Sequence, residues 1–198
     1  MQKVSKHILY IQSYFNIINV SIIKNNEFFF FNKNISLNKQ EILYIKGING
    51  CGKSTLLKIL VGINKHQEGS ILWCDSYYHY ICTRIFFLPN DLYLNPKDIT
   101  LISIFYDQTI DLQFILNLIL INVSKNFNEL STGEKKINQL SYLIIYPSPI
   151  WILDEPESNL DKINQSKLKN LINLHLKNNG IVFIATHKPF LKKYSIFL

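Results

Sequence analysis

The chain has 198 residues, 47% of them apolar and 13% aromatic, with a formal charge of +7. That is long enough to bury a sizeable core in one domain and too apolar for a disordered chain. The lysines are scattered without long blocks, so the charge reads as thinly spread composition and not as a patch for nucleic acid or an anionic membrane.

Cys51, Cys74 and Cys82 have no metal-ligand spacing, and a reducing compartment is expected. The weakly basic start is not followed by a cleavable apolar core, so no targeting segment is expected. The most apolar stretch, residues 112–123, is interrupted by Asn117 and Asn122 and is too short to span a bilayer. Heavy use of Ile, Asn, Lys and Phe suggests an A+T-rich coding genome, such as that of an organelle or a reduced bacterium.

Residues 16–23 are β-branched and loosely alternating, which predicts a strand. A turn at 24–27 leads to a second strand that opens on four phenylalanines, 28 to 31, and runs to Leu37. Residues 41–46 read as a buried strand entering Gly47-Ile48-Asn49-Gly50-Cys51-Gly52-Lys53-Ser54-Thr55, a complete G-x-x-x-x-G-K-[ST] pattern. Its glycines let backbone N–H groups close on an anion. Lys53 adds a cation near the outer phosphates, and Ser54 offers a hydroxyl to Mg²⁺. A helix over 54–61 places phosphate at its N-terminus, where N–H groups and dipole favour negative charge.

Further on, 70–73 and 84–88 are expected strands, the second ending at Pro89-Asn90-Asp91. The segment that follows, to Leu130, reads as helical, with apolar runs at 99–106 and 112–123, and is expected to be a small helical subdomain spanning about 91–135. Leu130-Ser131-Thr132-Gly133-Glu134 precedes a helix that ends at Pro147-Ser148-Pro149. Residues 150–153 are an apolar strand closed by Asp154 and Glu155, and a turn carrying Ser158, Asn159, Leu160 and Asp161 follows. A helix over 162–177 should bury Ile163, Leu168, Leu171, Ile172 and Leu174, with Asn178-Asn179-Gly180 as its C-cap. Residues 181–185 are the last predicted strand, ending at Thr186 and His187.

Asp154, at the end of a buried strand, is placed to hold Mg²⁺, directly or through water. Glu155 beside it can face an attacking water as general base. His187 lies on the same edge of a parallel sheet, where open α/β sheets bind ligands, and can hydrogen-bond the γ-phosphate. His7, His66, His79 and His175 lack such an address and read as surface or core residues.

The ordered set of residues 47–55, 130–134, 150–155, 158–161 and His187 resembles the ATP-binding-cassette ATPases over nearly the whole chain. The resemblance implies one α/β cassette domain over 1–198: a P-loop NTPase with a mostly parallel RecA-like core sheet, an N-terminal antiparallel β part and the helical subdomain. It also implies an ATPase using ATP and Mg²⁺, with catalytic Lys53, Glu155 and His187. Two chains would pair head to tail, each presenting Ser131 and Gly133, within the 130–134 signature, to the other's ATP. Asp161 and its neighbours 158–160 would cross the interface.

A narrower stretch is similar to the ATP-binding subunit of the haem exporter of cytochrome c maturation: the short length, Gly69-Ser70-Ile71-Leu72-Trp73, and Ser148-Pro149-Ile150-Trp151 before Leu153-Asp154-Glu155-Pro156. That likeness implies transmembrane partner subunits, membrane association only through them, no direct nucleic-acid contact, and a peripheral place on an inner membrane face, either the matrix side in mitochondria or the cytoplasmic side in bacteria. The alternatives are a cassette for another transporter of lipid, peptide or metal, a soluble cassette acting on ribosomes or nucleic acid, and a non-hydrolysing regulatory cassette.

This chain departs from the pattern in four places. Thr132 stands where glycine or alanine is usual, and Glu134 replaces a glutamine. Asn90 is the best match for an expected metal- and water-contacting glutamine, and Phe28 is the nearest aromatic to the expected base-stacking position.

Overall fold

The computed structural model describes residues 14–24, 27–65, 68–73, 85–90, 130–145, 148–187 and 195–197. The predicted helical subdomain therefore lies almost wholly outside the described residues.

A three-stranded antiparallel sheet is built from β1 (Phe15–Lys24), β2 (Glu27–Leu37) and β4 (Glu68–Trp73), in the order β2-β1-β4. Its ladders slip register around Asn19 and Asn32, which both take positive φ. Asparagine tolerates that conformation best after glycine, and such bulges bend a strand. Gly69 faces the bulge so closely that a Cβ would lie 2.5 Å from the backbone oxygens of Ile18 and Asn19. β4 begins two residues before the predicted start because Glu68 pairs with Ser21 across this bulge.

The second sheet is parallel, in the order β5-β6-β7-β3-β8. Its strands are β3 (Ile42–Lys46), β5 (Ile85–Leu88), β6 (Ile150–Asp154), β7 (Ile181–Ala185) and β8 (Ser195–Phe197). β8, three residues long, was not predicted. The other described elements are the helices α1 (Lys53–Leu60), α2 (Thr132–Ile145) and α3 (Lys162–Lys177).

The central strands are apolar on both faces because helices and the second sheet cover both. Alternate residues divide cleanly. Leu43, Ile45, Ile150, Ile152, Ile181 and Phe183 join a core with α1 and the antiparallel sheet. Ile42, Tyr44, Trp151, Leu153, Val182 and Ile184 join another with α2 and α3. Phe15, Trp73 and Phe183 bind the two sheets together, with ring centroids 4.3 Å apart for Phe15–Trp73 and 4.8 Å for Phe15–Phe183. The Phe15–Phe183 pair is edge-on, a contact that adds roughly 0.5–1.5 kcal/mol beyond the buried area.

The predicted apolar side of α3 needs correction. Leu168, Leu171, Ile172 and Leu176 are buried, whereas Ile163 and Leu174 are 67% and 42% exposed. The packed stripe follows i, i+3, i+4 and i+8 from Leu168, and Ile163 and Leu174 fall outside it. The C-cap also differs in detail. Asn179 takes the left-handed conformation (φ 64), and Gly180 is kept small by the His175 ring against it.

Candidate functional site at the carboxyl edge of the parallel sheet

The C-terminal ends of β3, β6 and β7 converge on one edge, since these strands are neighbours and run the same way. β3 feeds the glycine loop, and α1 leaves it at Gly52, the N-cap, with φ 99. No side chain caps α1, so its first N–H groups have no side-chain acceptor from this cap. Gly50 also has positive φ (82), and a Cβ there would meet open space, so its requirement is conformational. Lys53 is buried along its stem and donates through Nζ to the carbonyls of Gly47 (2.9 Å) and Ile48 (3.0 Å). Its ammonium thus lies across the loop's own mouth. Cys51 is a free thiol, and Ile48 is 79% exposed at the loop tip.

Asp154 ends β6 and is buried. Burial pushes its carboxyl above the usual range and the Glu155 charge adds to this, while the Ser54 hydroxyl bond and the charges of Lys136 and Lys53 oppose. A hydroxyl and a carboxylate bonded to each other form a pair of hard oxygen ligands, the donor type Mg²⁺ takes. Among the described residues no group of three or more His, Cys, Asp or Glu side chains forms a metal cluster. A cation here would draw its remaining ligands from phosphate and water.

Glu155 leaves the strand with φ 44, left-handed for a non-glycine, while its N–H donates to the Ala185 carbonyl at 2.9 Å. Such a conformation costs about 1–3 kcal/mol and persists where its surroundings enforce it. Glu155 Oε1 lies 3.0 Å from His187 Nε2. The structure thus brings Ser54 to Asp154 and His187 to Glu155. It does not bring Asn90 to either pair: Asn90 Oδ1 accepts from Ser158 Oγ (3.1 Å) and Lys136 Nζ (3.5 Å).

α2 begins at Thr132, inside the 130–134 stretch, through a capping box. Ser131 Oγ accepts the Glu134 N–H (3.2 Å), and Glu134 Oε2 accepts the Ser131 N–H (2.8 Å). The Ser-x-x-Glu spacing was a visible signal for it. Gly133 is close-packed on the following turn, where a Cβ would lie 2.9 Å from the Asn159 carbonyl oxygen. Leu160 is buried, and Asp161 caps α3 by accepting the Asn164 N–H at 2.7 Å. Phe28 lies in β2, paired with Ile23.

Three residues of this neighbourhood were not anticipated: Lys136, Glu157 and Thr186. Lys136 is 4% exposed, on α2 behind Asp154. The Thr186 hydroxyl donates to Glu157 Oε1. Burial raises the Glu157 carboxyl above its ordinary range, against that hydrogen bond. A hydroxyl directly ahead of His187 was the only local sign of the pair.

The family model described as ABC transporter matches residues 30–158. The chain belongs to the ABC transporter family. Among the cassette's curated relatives, the cytochrome c biogenesis ATP-binding export protein CcmA of Bartonella quintana is 34% identical over 176 residues, 84% of this chain and 85% of its own. CcmA of Reclinomonas americana is 32% identical over 195 residues, 91% and 87% of the two chains. The ABC transporter I family member 1 of Arabidopsis thaliana is 33% identical, over 86% and 80%.

Among solved structures, an ABC transporter ATP-binding protein from Pyrococcus furiosus superposes with a TM-score of 0.77 at 22% identity, covering 93% of this chain and 96% of that one. The ATP-binding cassette MJ0796, in a dimeric post-hydrolysis state bound to ADP and Pi, superposes with a TM-score of 0.69, also at 22% identity, over 88% of each chain. The fold is that of an α/β P-loop NTPase, and the chain is an ABC ATPase. Among the described residues no helix is long and apolar enough to cross a membrane.

Proposed function

We propose that this cassette is the ATP-hydrolysing subunit of the haem exporter of cytochrome c biogenesis. One observation carries the reading: CcmA proteins from separate sources align at 32–34% identity over more than four-fifths of both chains. The Ser148-to-Pro156 stretch, with Trp151 in it, supports it from the sequence side. The cassette then sits peripherally on an inner membrane face, held there by transmembrane subunits.

In this reading the loop from Gly47 to Thr55 wraps the phosphates of ATP with N–H groups, and Lys53 swings from its own loop carbonyls onto the outer phosphates. Ser54 and Asp154 would hold Mg²⁺, which would supply neutralisation of the phosphate charge. Glu155 takes the proton of the attacking water, and His187 holds Glu155's position and hydrogen-bonds the γ-phosphate. Ser131 and Gly133 of a second copy complete the cage, with Ser158 to Asp161 at the seam. Each charge-assisted contact is worth roughly 1.5–3 kcal/mol, enough for a few of them to switch a dimer between open and closed.

The test is co-purification of the tagged full chain from membranes. The expected result is a co-purifying transmembrane subunit whose reconstituted complex shows ATPase activity stimulated by haem. A complex whose ATPase responds to lipid, peptide or metal, and not to haem, points to another transporter. Co-purifying ribosomal RNA without a membrane subunit overturns the transporter reading.

A further inference from the structure

Thr186 stands where three strand ends meet. It is fully buried and directly precedes His187. Its N–H donates to the Ile45 carbonyl of β3 at 3.1 Å, two residues ahead of the phosphate loop. Its hydroxyl donates to Glu157, two residues after Glu155. Because the Glu155 N–H also donates to the Ala185 carbonyl at 2.9 Å, the loops after β6 and β7 are joined twice, once by main chain and once by side chains. The Glu155–His187 contact of 3.0 Å joins the residue that donates the main-chain tie to the residue that follows Thr186.

The turn is held on its other side as well. Ser158 Oγ donates to Asn90 Oδ1 at 3.1 Å, and Lys136 of α2 reaches the same oxygen at 3.5 Å. A carboxylate is a costly choice for an inner tie of this kind. Glu157 is desolvated and feels the charge of Glu155, with Lys136 opposing. An apolar residue would relieve that cost and would leave the Thr186 hydroxyl without this acceptor.

We propose that Thr186 and Glu157 are a positioning pair that sets the separation between Glu155 and His187 for ATP hydrolysis. The proposal rests on the roles given above to Glu155 and His187, and is independent of what the complex transports. The Thr186 hydroxyl is bonded to Glu157 and its N–H to the Ile45 carbonyl, so the pair acts on turnover through the two residues it aligns. A displacement of about 1 Å at a reacting group is able to lower a rate about a hundredfold.

The experiment compares steady-state ATPase activity and fluorescent-nucleotide affinity of the full chain with Thr186→Val, Thr186→Ser, Glu157→Ala, Glu157→Gln and the Thr186→Val/Glu157→Ala double variant. Thr186→Val and Glu157→Ala are expected to lower kcat by about tenfold or more, with KM for ATP and nucleotide affinity within twofold. Thr186→Ser and Glu157→Gln keep a donor and an acceptor and are expected to retain kcat within about threefold. The double variant should be no slower than the worse single one, because both remove the same bond. Thermal midpoints separate a folding loss from a turnover loss.

The proposal is overturned if folded Thr186→Val keeps full kcat, if Thr186→Ser is as slow as Thr186→Val, or if the singles multiply. Glu155→Gln is the control: full turnover in that variant sinks the role assignment itself, whereas its loss beside a fully active Thr186→Val sinks only the pair.

Discussion

The Trp151 indole lies flat on the His175 imidazole, ring centroids 3.7 Å apart and planes 6° from parallel. Trp151 points from β6 into the core shared with α2 and α3, and His175 comes from the last turn of α3. The tryptophan that suggests the haem-exporter likeness is therefore 4% exposed and acts in packing. Burial lowers the His175 pKa to about 4, against backbone hydrogen bonds near Pro149 and Ile181 that favour the charged form.

The sign follows from linkage. Between pH 6.5 and about 4 the unfolded chain binds a proton at His175 that the folded chain refuses. Stability is thus fully present above pH 6.5 and lost as pH falls through this window. The expected loss is on the order of 2 kcal/mol, discounted for the ring's partial exposure. Thermal unfolding of the wild type and His175→Phe across pH 4–7 checks it. The variant keeps a stacked ring without a titrating group, and its acid limb should be flatter. Equal slopes would remove His175 as the cause.

Glu134 and Ser131 give a stability prediction from the other end of a helix. Glu134→Ala leaves the Ser131 N–H without its side-chain acceptor and should cost about 1 kcal/mol, or roughly 2–4 °C in thermal midpoint for a chain of this size. Glu134→Gln preserves the capping box and should stay within about 1 °C. If both variants melt alike, the reciprocal bonding at 2.8 and 3.2 Å is not what holds the helix start.

What was legible in the chain was what is local in it. The glycine loop and the strand–carboxylate step at Asp154 depend on neighbours within a few residues, and pattern alone reaches them. The α3 stripe was misread at Ile163 and Leu174 because several apolar periods fit one helix and only packing selects among them. β8 escaped because three residues carry no period, and its pairing with β3 joins segments about 150 residues apart. Thr186–Glu157 and Asn90–Ser158 escaped for the same reason: strands adjacent in space, not in sequence, bring these side chains together.

Lys53 is the simplest probe of the phosphate loop. Lys53→Ala removes the ammonium that bridges the Gly47 and Ile48 carbonyls and would face the outer phosphates. Losing a charge-assisted contact of roughly 1.5–3 kcal/mol weakens binding by about 10- to 150-fold, before any loosening of the loop. Titration with a fluorescent ATP analogue should show that loss, with Lys53→Arg recovering only part of it because the planar guanidinium does not match a compact ammonium. Unchanged affinity in Lys53→Ala would mean that the loop binds something other than a nucleotide's outer phosphates.

Glu155→Gln separates chemistry from assembly. The amide is close in size and keeps an oxygen and an N–H within reach of His187, so the loop geometry and ATP affinity should be retained. It cannot accept the proton of a hydrolytic water, and removing a general base lowers turnover by about 10²–10⁴-fold. With hydrolysis stopped, the contacts across the nucleotide persist, and a head-to-tail dimer should accumulate. Size-exclusion chromatography with light scattering at saturating Mg-ATP reads this directly, with wild type and nucleotide-free samples alongside. A variant that binds ATP, fails to hydrolyse it and still elutes as a monomer would leave Glu155 as the base and remove the sandwich. Ser131 and Gly133 would then have to be explained by the roles the fold already shows, a capping box and a close approach to Asn159.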